Sequence, residues 1–413
     1  MSYNLFEVYG IELEYMIVNS ATYKVNHIVD KLFIKKSGSI TSDVENGKIE
    51  WSNELVAHVV ELKTNGPTAD LETLDVLFAE NVREMNRLLK DFDSELLPTA
   101  AHPLMNPERE MQLWQHSYSK IYALYNRIFD CRGHGWSNVQ SMHINLPFSG
   151  DAQFEKLHAA VRILLPIIPG LSASSPIFEG KITGFKDTRM HVYKTNQKEI
   201  PEMTGKVIPE QLFSKQEYHT GIFEPINKAI RPHDTENILD HHFLNSRGAI
   251  ARFDRGAIEI RVIDIQECPK ADVAIAVLII EALKLLVSEE LVTLEDQKQW
   301  HENDIFEIFN AVIKDAEQTL VESEKFAAIF DLKAPVSVKQ IWEKIYSLVK
   351  ENISEKHQES IEFLLQNGSL STRILNALGE DPSEENLLKI YKELGQCLQE
   401  NRMFLSNKTV KTN

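Results

Sequence analysis

The sequence predicts an α+β fold with a helical C-terminal portion. Up to about residue 265, short runs of alternating apolar and polar residues are mixed with stretches of helical spacing. From 270 to about 405 the helical spacing is nearly unbroken, and that order of elements is the α+β layout. The 413 residues are 25% charged and 43% hydrophobic, enough to bury a sizeable core in one large domain or two ordinary ones.

Residues 6–18 alternate as a strand, and 26–34 read as a second short one. Asp43 to Gly47 is a polar turn, and 48–64 hold two strand-like runs stopped by Asn65-Gly66-Pro67. Across 69–95, Leu71, Leu74, Leu77, Phe78, Val82, Met85 and Leu88 recur at helical spacing. Residues 98–104 read as a strand end and loop, and 110–130 as a helix. A strand over 136–147 stops at Pro147, and a helix over 151–170 bends near Pro166 and Pro169. The stretch 181–235 is rich in Lys, Thr, Gly, Pro and His and weakly periodic, which marks either a surface insertion or a lid. Strand pattern returns over 247–264, and Ala334-Pro335 should break the later helices. Three regions result. Residues 1–268 form a sheet region that holds the site, with 181–235 as its lid; 269–405 is a mainly helical portion on the same domain; 406–413 is a disordered tail.

A net charge of −17 argues against nucleic acid or an anionic membrane as the main partner, and leaves room for a local Arg and metal cluster to hold a nucleotide. The most apolar segment, Val273 to Val287, carries Glu281 and Lys284 and is shorter than the ~20 residues of a membrane span, so a buried core helix is expected. Three cysteines without CxxC or zinc spacing fit a reduced, cytoplasmic setting. Met1 to Phe6 has no basic region followed by an apolar run, so no signal peptide is expected. A GxxxxGK[ST] loop, a GxGxxG turn, a GxSxG elbow and an HExxH helix are all missing, which removes the usual support for the common nucleotide folds and hydrolases.

Carboxylates concentrate on strands instead. In Gly10-Ile11-Glu12-Leu13-Glu14-Tyr15 the alternation puts Glu12 and Glu14 on one face, about 7 Å apart along the strand, with Ile11, Leu13 and Tyr15 opposite. Glu61 and Lys63 share a face in Val59-Val60-Glu61-Leu62-Lys63-Thr64, with Glu54 upstream as a minor candidate. In Ser141-Met142-His143-Ile144-Asn145-Leu146 the row Ser141, His143, Asn145 is polar and the other row apolar. In Ala257-Ile258-Glu259-Ile260-Arg261-Val262, Glu259 and Arg261 share a face and Ile258, Ile260 and Val262 lie opposite. Acids are depleted in strands, and a wall of them is costly unless something pairs with it. A hard divalent cation with oxygen ligands is the natural partner, and Arg261 suits bidentate recognition of phosphate or carboxylate. Taken singly, each pattern also has a bland reading: a solvated strand face for Glu12 and Glu14, surface decoration for Glu61 and Lys63, a satisfied structural residue for His143, and a surface cross-strand pair for Glu259 and Arg261.

Taken in order, Glu-x-Glu, Glu-Leu-Lys-Thr, Met-His-x-Asn and Glu-x-Arg-Val resemble the carboxylate-amine ligases, the second family of glutamate–cysteine ligases and distant relatives of glutamine synthetase. Ala101-His102-Pro103, Ser172 to Gly180 and, loosely, Gly368 to Arg373 add to the likeness. The resemblance implies a glutamine-synthetase-like curved antiparallel sheet with the site on its concave face, flanked by helices. It implies ATP and Mg²⁺ (or Mn²⁺), with an acyl phosphate of glutamate attacked by an amine such as cysteine. Carried over, Glu12, Glu14, Glu61, His143 and Glu259 are metal residues. Arg261 and Arg189 face phosphate or the acyl substrate, and Asn145, Arg261, Arg373 and Lys63 hold the nucleotide. The chain departs from the family where many relatives have His-x-His and it has His143-x-Asn145, which puts one nucleotide contact in doubt. Small-molecule substrates are the expected partners, and a homo-oligomer stays open. Two other classes compete: a guanidino-kinase-like phosphotransferase using Cys268, and a non-catalytic nucleotide-binding relative.

Overall fold

The apolar rows of the acid-bearing strands bury themselves together in one sheet. The computed structural model describes residues 3–239 and 241–405. Its strands are β1 (Gly10–Asn19), β2 (Asp43–Asn46), β3 (Ile49–Asn53), β4 (Val59–Thr64), β5 (Ser94–Leu97), β6 (Ser141–Pro147), β7 (Ile177–Phe178), β8 (Lys181–Ile182), β9 (Ala249–Arg252) and β10 (Ala257–Asp264), with a short pair, β11 (Leu320–Val321) and β12 (Val336–Ser337), among the later helices. Eight of them form an antiparallel sheet in the order β2-β3-β4-β1-β6-β10-β9, with β5 paired to the far end of β1. The strands β7 and β8 form a separate two-stranded piece.

Register sorts the two faces. Leu13 stands opposite Leu62 on one side and Met142 on the other, and Ile144 stands between Ile11 and Ile260. All of these are buried completely. Helices Leu74–Leu89, Gly150–Leu164 and Pro269–Val287 complete the apolar layer. The helix Pro269–Val287 is buried along almost its whole length and packs against the other two and against Glu355–Asn367. It is the buried core helix its apolar sequence implies, and no helix among the described residues is long and apolar enough to cross a membrane.

Several local expectations are corrected. Residues 26–34 are no strand: Val29–Ser37 is a helix that buries Val29, Leu32 and Phe33, an i, i+3, i+4 set too short to separate from alternation. Asp43–Asn46 is a strand, and the turn is Gly47, at φ +68°, where a glycine is needed. The helix expected over 110–130 is Ser119–Phe129 only, and the strand expected from 136 starts at Ser141 after a helical turn at His134–Ser137. The stretch 181–235 is not irregular. It holds the short helix Thr188–Tyr193 and a helical run in which a π-turn, His219–Phe223, joins Lys215–Tyr218 to Glu224–Ile230 and breaks the 3.6-residue period. Its second half is anchored by buried Tyr218, Ile222, Phe223 and Ile226. The C-terminal stretch 406–413 lies outside the described residues.

Leu13→Ala should therefore cost about 2–5 kcal/mol, as large-to-small core changes do. Urea unfolding measures it, and a loss below ~1 kcal/mol would mean that this face is not the packed one.

Candidate active site

The opposite face of the sheet carries the polar rows, aligned across strands by the same register. One row runs Ser52, Glu61, Glu14; the next runs Glu50, Lys63, Glu12, His143; and Asn145 stands beside Glu259. Gly10 faces Asn145, and a Cβ there would lie 3.1 Å from that of Asn145, so the glycine leaves room for the amide.

Hydrogen bonds lock this face. The His143 Nδ1 lies 2.8 Å from Glu12 Oε2, and its Nε2 lies 2.9 Å from Ser141 Oγ. Ser141 donates from its backbone N–H (2.6 Å) and its hydroxyl (2.9 Å) to Glu14 Oε2. Asn145 Nδ2 donates to Glu12 Oε1 at 3.0 Å. Arg261 Nε lies 3.1 Å from Glu259 Oε1, and Arg252 reaches the other Glu259 oxygen at 3.6 Å. Lys63 Nζ sits 3.5 Å from Glu61 and 3.6 Å from Asp43.

A β-bulge shapes the end of β10. Arg261 and Val262 together oppose His143, so Ile263 returns to the core opposite Met142 and Asp264 joins the site face opposite Ser141. Simple alternation places Asp264 in the core row and therefore misses it. Asp264, fully buried, accepts from Ser174 N–H and Ser175 Oγ, both at 2.8 Å, and from Arg189 Nε at 2.5 Å. Arg189 also donates to the Arg261 carbonyl at 3.2 and 3.3 Å. It thus lines the cavity from behind Arg261 and fixes the backbone there.

Charge crowding appears in the protonation equilibria. Burial, then the charges of Glu14 and Glu61, push Glu54 well above the usual carboxylate range. Burial and Glu12 do the same to Glu61, against the pull of Lys63. Burial opposes the charge on Glu12 as well, but the hydrogen bond and charge of His143 outweigh it and lower this carboxyl to about 2. His143 is in turn raised: burial works against its charge, and Glu12 and Glu14 overcome that.

Two donor sets fit a cation, Glu12 with His143 and Glu259, and Glu14 with Glu61 and His143, each with one ligand atom per residue within 4.8 Å of the others. Mostly carboxylate donors with one imidazole match Mg²⁺ or Mn²⁺. Glu54, given minor weight in the sequence, lines both adjoining cavities and is coupled by charge to Glu14 and Glu61. Its loop position outside any alternating run left no periodic signal.

Cavities of about 570 and 750 Å³ meet at this wall, sharing Glu14, Glu54, Glu61, Lys63, His143 and Arg261 among their lining residues. The second adds Glu12, Asn145, Glu259, Arg252 and the backbone at Gly10, Gly66 and Gly256. The first runs from the wall towards Tyr122, Tyr125, Trp136, Arg189 and Tyr193. The predicted site residues therefore converge, with one exception. Arg373 lies outside both cavities, buried against Glu267, with its guanidinium donating to the Phe404 carbonyl at 2.7 Å. Its reading as a nucleotide contact is corrected, because that charge is held in a buried structural pair.

The family model for glutamate-cysteine ligase family 2 (GCS2) matches residues 8–393. The chain belongs to this family of ligases. An uncharacterized protein of Archaeoglobus fulgidus is 31% identical over 96% of this chain and 100% of its own length. A protein of Chromobacterium violaceum named "Putative glutamate--cysteine ligase 2" is 27% identical over 44% of this chain and 45% of its own length. A bifunctional glutathione synthetase from Pasteurella multocida superposes with a TM-score of 0.55 at 15% identity, over 96% of this chain and 52% of that one. The family's chain thus spans about half the length of that solved structure, and the likeness is one of fold.

Two outcomes are expected. Mn²⁺ binding should release protons and tighten as pH rises, because Glu54 and Glu61 hold protons to unusually high pH and must lose them to act as ligands. Titration calorimetry in buffers of different ionisation enthalpy measures this, and binding without proton release would contradict the assignment. Arg373→Ala should destabilise the fold by about 3–5 kcal/mol by leaving Glu267 buried and unpaired. A selective rise in the KM for ATP with unchanged stability would restore Arg373 to the site.

Proposed function

We propose that the protein is an ATP-dependent carboxylate-amine ligase. It activates the γ-carboxylate of glutamate, or a similar carboxylate, as an acyl phosphate and joins it to an amine. The observation that carries this reading is the wall of Glu12, Glu14, Glu54, Glu61, Glu259 and His143, with Lys63 and Arg261 on it, at the meeting of two cavities. Such a wall suits a reaction in which two anions must be brought together and phosphoryl charge stabilised.

In this reading the nucleotide occupies the second cavity, where Arg252, Arg261 and Lys63 face its phosphates and Asn145 keeps Glu12 oriented. The carboxylate and the amine occupy the first cavity. Glu12, His143 and Glu259 would hold one cation, and Glu14, Glu61 and the other nitrogen of His143 a second, with Glu54 beside it. When bound, Mg²⁺ or Mn²⁺ supplies positive charge to the phosphate oxygens. Arg261 neutralises the phosphoryl group or the acyl carboxylate, and Arg189 positions Arg261 through its carbonyl. The segment from Arg189 to Gln197 walls the first cavity and limits the access of water to an acyl phosphate. No protein nucleophile is required.

The phosphotransferase alternative loses its key group. Cys268 is fully buried, and burial, with the charge of Glu267, pushes its thiol well up, so it is no ready thiolate.

The test is hydroxamate formation from Mg-ATP, glutamate and hydroxylamine, which traps an activated carboxylate without needing the true amine. Hydroxamate and stoichiometric phosphate are expected. Glu259→Gln should lower kcat/KM on the order of 100-fold while circular dichroism is unchanged. ATP binding without hydroxamate from glutamate or related acids would reject the ligase and favour a non-catalytic relative.

A further inference from the structure

One end of the first cavity has an aromatic lining that the chemistry at the wall does not use. Helix Ser119–Phe129 packs into the protein through buried Leu124 and Phe129. A second apolar stripe, Tyr118, Ile121, Tyr122 and Tyr125, has i, i+3, i+4, i+7 spacing and is turned to the cavity. Ile121, Tyr122 and Tyr125 are only half-buried, and Tyr118 is 56% exposed. Trp136 and Tyr193, also half-buried, close the same end.

These rings are held in place from behind. The Trp136 ring stacks on Phe129 at 5.5 Å and meets Tyr125 edge-on at 5.8 Å, while its indole N–H donates to the Asn196 carbonyl at 3.3 Å. Tyr122 Oη accepts from Asn53 Nδ2 at 3.2 Å. The nearby polar groups are already engaged. The Asn196 amide donates to the Gly135 carbonyl, and the Gln197 amide donates to Ser246 Oγ at 2.7 Å. Four cations line this cavity: Lys63 is paired with Glu61, Arg261 with Glu259 and Arg189 with Asp264, and Arg255 lies 3.8 Å from Asp254. The aromatic end therefore offers ring faces, and every cation lining the cavity among the described residues already has a carboxylate partner.

We propose that the amine used by this protein carries a flat aromatic body that sits against Tyr122, Tyr125 and Trp136, with its amino group directed to the carboxylate wall. The inference rests on the ligase reading and names the acceptor class. Charge favours the amine over the acid as the ring-bearing substrate. An amine arrives as an ammonium ion, which ring faces attract. The acid must place its carboxylate at Lys63 and Arg261. Ring-against-ring contact then supplies most of the discrimination.

The experiment compares 2-phenylethylamine with ethylamine in glutamate- and Mg-ATP-dependent phosphate release by the full chain. A preference of about tenfold or more in kcat/KM for 2-phenylethylamine is expected. It should collapse in Tyr125→Ala and survive in Tyr125→Phe, which keeps the ring. Equal kcat/KM for the two amines, with hydroxamate still formed, would overturn the aromatic subsite and leave the ligase standing. A preference that appears only when a phenyl-bearing acid replaces glutamate would also overturn it. Absence of hydroxamate strikes the ligase reading instead. The subsite is then judged by Trp fluorescence on titration with the two amines, where tighter binding of 2-phenylethylamine supports it and equal binding overturns it.

Discussion

Glu14 and Glu61 stand opposite each other in register on neighbouring strands, both nearly buried. Carboxylate oxygens within 4.8 Å repel by on the order of 3 kcal/mol at an effective dielectric near 20. Glu54 adds a third acid to the same region. The surroundings reduce this repulsion in three ways. Glu54 and Glu61 hold their protons, Ser141 donates twice to Glu14, and Lys63, His143 and Arg261 are set among the acids. A bound cation would relieve the same crowding more completely, and this couples the local electrostatics to the proposed chemistry.

The wall exists only because the sheet keeps its register. Side chains alternate with period two, so a slip of one residue between β1 and β6 would turn Glu12 and His143 to opposite faces. The packed face resists that slip, since Met142 and Ile144 would leave the core they share with Leu13 and Leu62. Stability on one face therefore fixes catalytic geometry on the other. The bulge at Arg261-Val262 is the one departure, and it brings Asp264 to hold Arg189, which in turn holds the Arg261 carbonyl.

Much of this was legible in the sequence because strand alternation is a local property. Glu12, Glu14, Glu61, His143 and Glu259 each sit in an apolar-polar run that assigns their face without knowledge of neighbours. Two kinds of residue escaped. Trp136 lies outside regular alternation, so only the chain path brings it to the cavity; Glu54, also outside it, was legible only as a minor candidate. Asp264 sits beyond a bulge, where counting by twos gives the wrong face. Arg373 fails for the converse reason. Its motif is local, but its partner Glu267 is 106 residues away, and a buried pair looks like a ligand site when only one member is read. The helix at Val29–Ser37 shows the same limit at short range, since three buried positions cannot fix a period.

The two cavities divide the work unequally, and the sheet explains why. A strand face is one layer deep, so groups on β1, β4, β6 and β10 can be approached from either side of the wall. On one side lie glycine backbone and arginines, a surface suited to phosphates. On the other, the covering element is a helix whose stripe of rings packs partly against the core and partly lines the cavity. Apolar rings left half-exposed forgo burial worth roughly 25 cal/mol per Å², so the stripe is stabilising only when something apolar covers it. The carboxylate wall and the aromatic stripe thus share one logic. Each is a surface that the fold leaves unsatisfied, and in the proposed reaction each would be covered by a different part of the same set of ligands.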